Sequence, residues 1–413
     1  MPESPAGDWR RLVAVYWITS LVESMGVSQV YALLPTYLAS MGVAEADRLR
    51  FVGLFGSLIF VVGMPMVPLW GVWADKYSRK AVIIRSAIVE AVVLAGVSLS
   101  REPWQLAVSM MLIGFQLGNT GVMLAGIRDV TPRRRLGTTI AIFGASSPVG
   151  MAVGPALAGI LVDGFHLGVS SVFAVSSACS LATAVLLWLG SAEIRPEVVP
   201  TGRVLTLAYG AIRGVLSDPA VRRVFAIFGT AFLANQMSRP YIPVAVEAIV
   251  GRGPGLASAI ALVSGTAALV GALLSPVAGA IGDRIGFRRV LLAALATGGV
   301  ALGLMPGAGS IPALAGLVLV FAVCTSAVSA MVFGLLATEV PAERRSTTLN
   351  LVYLPLYAAG IVGPAIGAGA AGLAGLPGPF LTGAAIIALG AVAVAVAVRG
   401  AGGSRPVSAD RAT

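Results

Sequence analysis

Charge is scarce in this chain. Asp, Glu, Lys and Arg make up 11% of its 413 residues, against 57% hydrophobic residues. A water-soluble domain carries about 25% charged residues to keep its surface wet, so a soluble globular fold is excluded and lipid must be the solvent. Histidine occurs once, as His166, and cysteine twice, as Cys179 and Cys324, both inside apolar runs. A disulfide framework and a cysteine-based metal site are therefore excluded. His166 has no companion ligand, and neither a metal nor a cofactor is expected. No Gly-x-x-x-x-Gly-Lys-Ser/Thr run is present, so no phosphate-cradling ATP site is expected either.

The charge that is present is lopsided, with 28 Lys and Arg against 18 Asp and Glu, a net of +10. That excess could suggest nucleic acid, but the basic residues fall in short loops between apolar runs, where membrane topology accounts for them. No nucleic-acid partner is expected. The fold class read from this pattern is all-α, a polytopic membrane protein.

Apolar runs long enough to span a bilayer fall at about residues 12–39, 50–73, 81–99, 105–127, 138–161 and 169–190. The first is too long for a signal h-region, and residues 1–9 lack a positive n-region, so it reads as a retained span. Residues 191–221 break the pattern with Glu193, Arg195, Pro196, Glu197, Pro200, Arg203 and Arg213, and read as a linker whose piece Val204–Leu216 lies on the membrane surface. Six more runs follow, at about 222–246, 257–280, 290–306, 312–337, 347–372 and 379–398. The expected organisation is a six-helix half over 1–190, a linker over 191–221, a second half over 222–399 and a tail over 400–413. Placing both termini and the linker in the cytoplasm puts 23 of the 28 Lys and Arg inside, Arg85 among them.

The two halves are copies. Gly71-Val72-Trp73-Ala74-Asp75-Lys76-Tyr77-Ser78-Arg79-Lys80 recurs as Gly279-Ala280-Ile281-Gly282-Asp283-Arg284-Ile285-Gly286-Phe287-Arg288-Arg289, 208 residues later at the aspartate. Pro35 and Pro243 share that offset; Gly154-Pro155 and Gly363-Pro364 are 209 apart, after one extra residue in the second loop.

These residues carry a family resemblance. The pattern Gly-x-x-x-Asp-Lys/Arg-x-Gly-Arg-Arg/Lys resembles the loop between helices two and three of the major facilitator superfamily, with Ser78 in place of the second glycine in the first copy and Gly286 in the second. Gly150-x-x-x-Gly154-Pro155-x-x-x-Gly159 resembles the helix-five motif of that superfamily's twelve-helix drug:proton antiporter branch. It is echoed at Gly360, Gly363, Pro364 and Gly367. The resemblance implies alternating access of two six-helix halves around a midplane site. It also implies that Asp75 and Asp283 meet the helix starts Ser346-Thr347-Thr348 and Thr138-Thr139 of the other half, that Arg79 pairs with Asp129, and that these contacts gate the cytoplasmic side. Glycines four apart bare a backbone strip for close helix approach, and Pro155 permits a bend, so the helix-five motif is expected at the interface between halves.

Three charges inside spans remain: Glu23, Glu90 and Arg239. Each costs at least about 2.5 kcal/mol in hydrocarbon and must face protein or water. Helices one and seven line the central cavity in the family, which implies that Glu23 is the proton-coupling acid and Arg239 a cavity charge. Arg239 maps onto Tyr31, eight residues past Glu23 and about 12 Å deeper, so a direct salt bridge is not expected. Glu90, on a helix that is peripheral in the family, reads either as a structural partner of a neighbouring helix or as a functional acid. Gln29, Tyr31, Gln116, Asn119, Asn235, Gln236, Asn350, Tyr353 and Tyr357 are further cavity candidates, each equally able to hold helices together. Between Gln105 and Ile127 helix four has no arginine, where the antiporter branch commonly has one.

The expected function is proton-coupled export of a small amphipathic or lipophilic compound by a monomer in the bilayer. Uptake by proton symport is the alternative, and a transport-dead sensor is the alternative of a different class. A membrane enzyme is set aside because the spans hold no His and no Asp from which to build a catalytic cluster.

Overall fold

A computed structural model describes residues 8–196, 199–217, 219–339 and 354–402, and among these it forms helices and no strands. The first half contains α1 (Asp8–Ser40), α2 (Glu45–Lys76), α3 (Arg79–Leu99), α4 (Pro103–Ile113), α5 (Asn119–Val130), α6 (Leu136–Gly144), α7 (Ser146–Gly159) and α8 (Val169–Gly190). The linker carries α9 (Val204–Leu216). The second half contains α10 (Pro219–Ser238), α11 (Ile242–Val250), α12 (Leu256–Ile285), α13 (Phe287–Leu304), α14 (Ile311–Glu339), α15 (Leu354–Ala374) and α16 (Pro377–Gly402). Three expected spans are interrupted: the fourth is α4 and α5 joined through a 3-10 turn, the fifth is α6 and α7, and the seventh is α10 and α11 joined through Arg239–Tyr241.

Ten of the described helical stretches are long and apolar enough to cross a bilayer. The two expected spans outside that set, the first and the seventh, hold Glu23 and Gln29, and Asn235, Gln236 and Arg239. Lipid-facing helices tolerate little polarity, whereas helices that face a polar interior must carry it.

Local chemistry explains the helix starts. Ser78 is extended (φ −162°), and its hydroxyl accepts from the Ala81 N–H, capping α3. The position that departs from the family glycine is thus an N-cap that needs no glycine. Its counterpart Gly286 sits at φ +99°, where a side chain would be strained. At the start of α4, Gln105 Oε1 accepts from the N–H groups of Arg101 and Glu102, with Pro103 opening the helix.

Helix α1 packs on α7, and α3 on α8, within the first half; α12 with α14, and α10 with α15 and α16, build the second. The halves join along two seams, α2 against α15 and α7 against α12. The bundle has a terminus end, with Asp8, the loop at Asp75–Lys80 and the linker, and a far end, with the turns after Ser40, Leu99 and Val250.

The glycine motif lies only in part at the interface between the halves. Gly154 faces Met25 and Ser28 of α1 in its own half, close enough that a Cβ there would stand 2.5 Å from the Met25 carbonyl, and Gly150 likewise faces Leu21. Only Gly159, beside Ser258 of α12, faces the other half. In the second copy Gly363 and Gly367 receive the backbone of α10, again within one half, while Gly360 faces Phe60 and Pro364 faces Gly53 across the seam. A helix in a two-layer bundle presents one face to its own half and one to the other, and glycines four apart keep to the inward face while the proline sits at the edge. The linker helix α9 docks on α2, with the Tyr209 hydroxyl donating to the Pro65 carbonyl at 2.5 Å.

Candidate functional site

The fourth span is broken at its centre. Gly114–Gln116 form a 3-10 turn, and Gly118, at φ +98°, starts α5 from a left-handed conformation that only glycine adopts without cost. The free N–H groups of α5 and their partial positive charge therefore open inside the membrane rather than at its edge. Glu23 meets that helix end. Its Oε1 and Oε2 each accept from Asn119 Nδ2 at 2.5 Å, and Oε1 accepts from Ser86 Oγ at 2.6 Å. The acid is 7% exposed, so helices one, three and four of a single half supply its whole polar environment.

Arg85 stands beside this group. It is the seventh residue of α3, within the expected third span, with its guanidinium 3.7 Å above the Trp70 ring and Nη2 donating to the Gln116 carbonyl at 3.4 Å. The arginine missing from helix four is thus met by one from helix three at the break itself. Glu90, 2% exposed, sits one turn further along α3, against Gly26 of α1.

Several cavity candidates prove to be internal to the first half. Gln29 donates to the Gly154 carbonyl at 3.1 Å and accepts from Ser176 Oγ, so its amide holds helices one, five and six together. Asn119 is taken by Glu23, and Gln116 is buried in the break. Arg239 and Tyr31 do meet across the halves, the guanidinium 4.5 Å from the ring centroid. On α10 Asn235 is half-buried and Gln236 buried, and Tyr357 tilts against Phe60 at 6.2 Å. Asn350 and Tyr353, like Ser346–Thr348, lie outside the described residues. No ion pair joins Glu23 to Arg239: the one is held by Asn119 and Ser86, the other by Tyr31.

The first repeated loop is a network. Arg79 Nη1 reaches Asp129 at 2.6 Å and Nη2 reaches Asp75 at 2.8 Å, with the arginine 3% exposed. Glu193 of the linker accepts from the Arg79 N–H at 2.9 Å and from the Ser78 hydroxyl. Lys80 donates to the carbonyls of Trp188 and Ser191, and Lys76 to that of Gly202. Gly71 has open space beside it. In the second copy Gly279 also faces open space, Asp283, Arg284 and Arg289 are exposed, and Arg288 is half-buried. Thr139 bonds its own helix at the Arg135 carbonyl.

Sequence reasoning missed the contacts at the far end. Arg48 Nη1 binds Glu247 at 2.8 and 3.0 Å, with side chains only 2% and 8% exposed, tying α2 to α11. Arg252 adds a 2.6 Å bond to Glu247, which holds its guanidinium above the ordinary value and permanently cationic. Asp163 Oδ2 accepts from the Ser258 N–H and hydroxyl, each at 2.7 Å, joining the fifth span to α12. The Tyr241 hydroxyl donates to the Leu49 carbonyl at 3.0 Å. A cavity of about 280 Å³ lined by Leu33, Thr36, Asp163, Glu247, Arg252 and Leu256 adjoins these pairs. One signal was legible: Glu247 follows the apolar run 222–246 directly, and an acid at that edge calls for a cationic partner.

Comparison with known proteins agrees with this architecture. The family model described as Major Facilitator Superfamily matches residues 12–260 and 224–412. The multidrug resistance protein MdtG of Yersinia enterocolitica is 27% identical over 296 residues, covering 70% of this chain and 69% of that protein. MdtG of Salmonella typhi is 28% identical over 295 residues, 70% of each. Among solved structures, the nucleoside transporter NupG superposes with a TM-score of 0.79 at 14% identity, over 93% of this chain and 99% of that one. The human organic anion transporter MFSD10 gives 0.68 at 18%, over 95% and 100%. The duplicated loop, the two six-helix halves and the family match over nearly the whole length agree: this chain belongs to the Major Facilitator Superfamily.

Proposed function

We propose that this transporter exports small amphipathic or lipophilic compounds against inward proton flow, with both termini and the linker in the cytoplasm and the far end outside. The observation that carries the coupling is the double engagement of α5. Its first residue, Asn119, holds Glu23, and its last turn carries Asp129, which holds Arg79 and through it Asp75. Twelve helical residues make a stiff rod of about 18 Å between the acid and the gating loop. Protonating Glu23 removes the negative charge that the positive end of α5 faces, so the rod's seat weakens and Asp129 can shift against Arg79.

Substrate binds between the halves, where Arg239 and Tyr31 form the polar contact. The described ion pairs between halves are all at the far end, which fits a state closed to the outside and open to the cytoplasm. The multidrug resistance proteins among the relatives support a broad, lipophilic substrate range, and the protein works as a monomer.

Reconstitution in vesicles with an imposed pH gradient tests the reading. Glu23→Gln should still bind substrate yet fail to concentrate it, and Arg239→Gln should weaken binding, most for anionic compounds. Accumulation by Glu23→Gln equal to the wild type would remove the acid from the coupling. Accumulation only on the acidic side would favour export and only on the alkaline side uptake by symport, while a sensor would move nothing.

A further inference from the structure

Glu90 is not used by the mechanism above, and its surroundings are unlike those of Glu23. Both of its oxygens are buried and neither makes a hydrogen bond of ordinary geometry, although Gln116 and Ser180 stand beside it, and the side-chain oxygen of Gln116 also lacks a donor. Glu23 by contrast accepts from Ser86 and Asn119. A carboxylate only accepts hydrogen bonds and a carboxylic acid has one to donate, so the setting of Glu23 suits the ionised form and that of Glu90 the acid.

The two acids are also staggered in depth. Ser86 meets Glu23, and Glu90 is four residues further along α3, about 6 Å nearer the far end. On α1 the contact moves the same way, from Glu23 to Gly26. Beyond Glu90 the polar line continues outward: Ser180 stands beside it, the Ser180 hydroxyl donates to the Ser176 carbonyl, and Ser176 bonds Gln29. The elements packed against Glu90 bring no other acid to it. The remaining charges on those elements are Arg85, one turn toward the terminus end; Asp8, Arg10, Arg11, Asp75, Lys76, Arg79, Lys80, Arg128 and Asp129 at that end; and Glu45, Asp47, Arg48 and Arg50 at the far end of α2; α4 and α8 carry none.

We propose that Glu90 is a second proton-carrying acid of the transport cycle, set between the far end and Glu23 so that the coupling proton passes through it. The O–H bond of Glu90 breaks, the proton is taken up by the Glu23 carboxylate, and the Glu90 carboxylate left behind is reprotonated from the far end. Like charges side by side disfavour each other, which prevents both acids from standing ionised together and drives the transfer onward. The path runs wholly inside the first half and leaves the space between the halves to substrate. The inference rests on Glu23 as the coupling acid, and its test separates the two.

Purified Glu90→Gln, Glu90→Asp and Glu23→Gln proteins would be compared in vesicles by gradient-driven accumulation across pH and by substrate–substrate exchange, which needs no net proton movement. Glu90→Gln should slow driven accumulation roughly a hundredfold, as loss of a positioned proton carrier does, with exchange at the wild-type rate, and Glu90→Asp should recover driven transport. Driven transport by Glu90→Gln with wild-type rate and pH profile overturns the relay, and Glu23→Gln without accumulation in that same experiment leaves the coupling acid standing. Equal loss of exchange and driven transport in both Glu90 variants makes the residue structural and overturns the relay as well. Wild-type accumulation by Glu23→Gln instead overturns the coupling assignment on which it rests.

Discussion

Arg48 is among the largest fully buried side chains of the molecule, and it is charged. An arginine in that position persists only because Glu247 neutralises it, and the pair straddles the two halves, so it must come apart whenever the far end opens. Removing Glu247 strands the buried Arg48 charge, whereas removing Arg48 leaves Glu247 paired with Arg252. Glu247→Leu alone should therefore lower stability by about 3–5 kcal/mol, Arg48→Met alone by less, and the double replacement by less than the sum of the two. Thermal unfolding of the three proteins in detergent measures this; additive losses would mean that the two side chains act independently. Glu23 and Arg239 belong to the same scale. Both are legible in the sequence as costly intramembrane charges, but the sequence could not say that one binds within a half and the other across halves.

Among the elements, the broken fourth span and the fifth span explain most of the site. Apolar periodicity does not reveal the break, because Gly114 and Gly118 look like the glycines that any membrane bundle uses for packing; only the positive φ of Gly118 and the 3-10 turn before it expose a helix start in mid-membrane. On α7 the same residue type does two jobs, with Gly154 against α1 and Gly159 against α12. Gly154→Leu should break the packing of the first half, giving low yield and aggregated protein. Gly159→Leu should fold and instead favour separation of the halves at the far end. Size-exclusion behaviour and far-end accessibility of an introduced thiol distinguish the two, and identical defects would mean that the faces are not separate.

For the whole molecule, alternating access implies a second state besides this one. The seams α2–α15 and α7–α12, and the far-end contacts Asp163–Ser258, Arg48–Glu247 and Tyr241–Leu49, hold the halves together at that end. Transport by alternating access requires those contacts to part. With Cys179 and Cys324 replaced by serine, Asp163→Cys combined with Ser258→Cys should be joined by a short cleavable crosslinker and lose transport, regaining it on cleavage. Undiminished transport in the crosslinked protein would show that the far end need not open.

Composition alone determined that the chain lives in lipid, because 11% charge cannot wet a protein of this size. The 208-residue repeat determined two like halves, and the repeated Asp75 and Asp283 loops pointed to the family, because duplicated motifs survive in the order of residues. The Arg79–Asp129 pair implied by that resemblance is present in the fold. What only the tertiary structure decided is which face each residue shows. Helical spacing locates a side chain to within a turn, but whether Gln29 looks into a cavity or onto Gly154, and whether Arg85 faces lipid or Trp70, depends on how helices are rotated about their axes. That rotation is set by packing between segments far apart in the chain, and so the partners of Glu23, Glu90 and Arg48 became visible only when the helices were assembled.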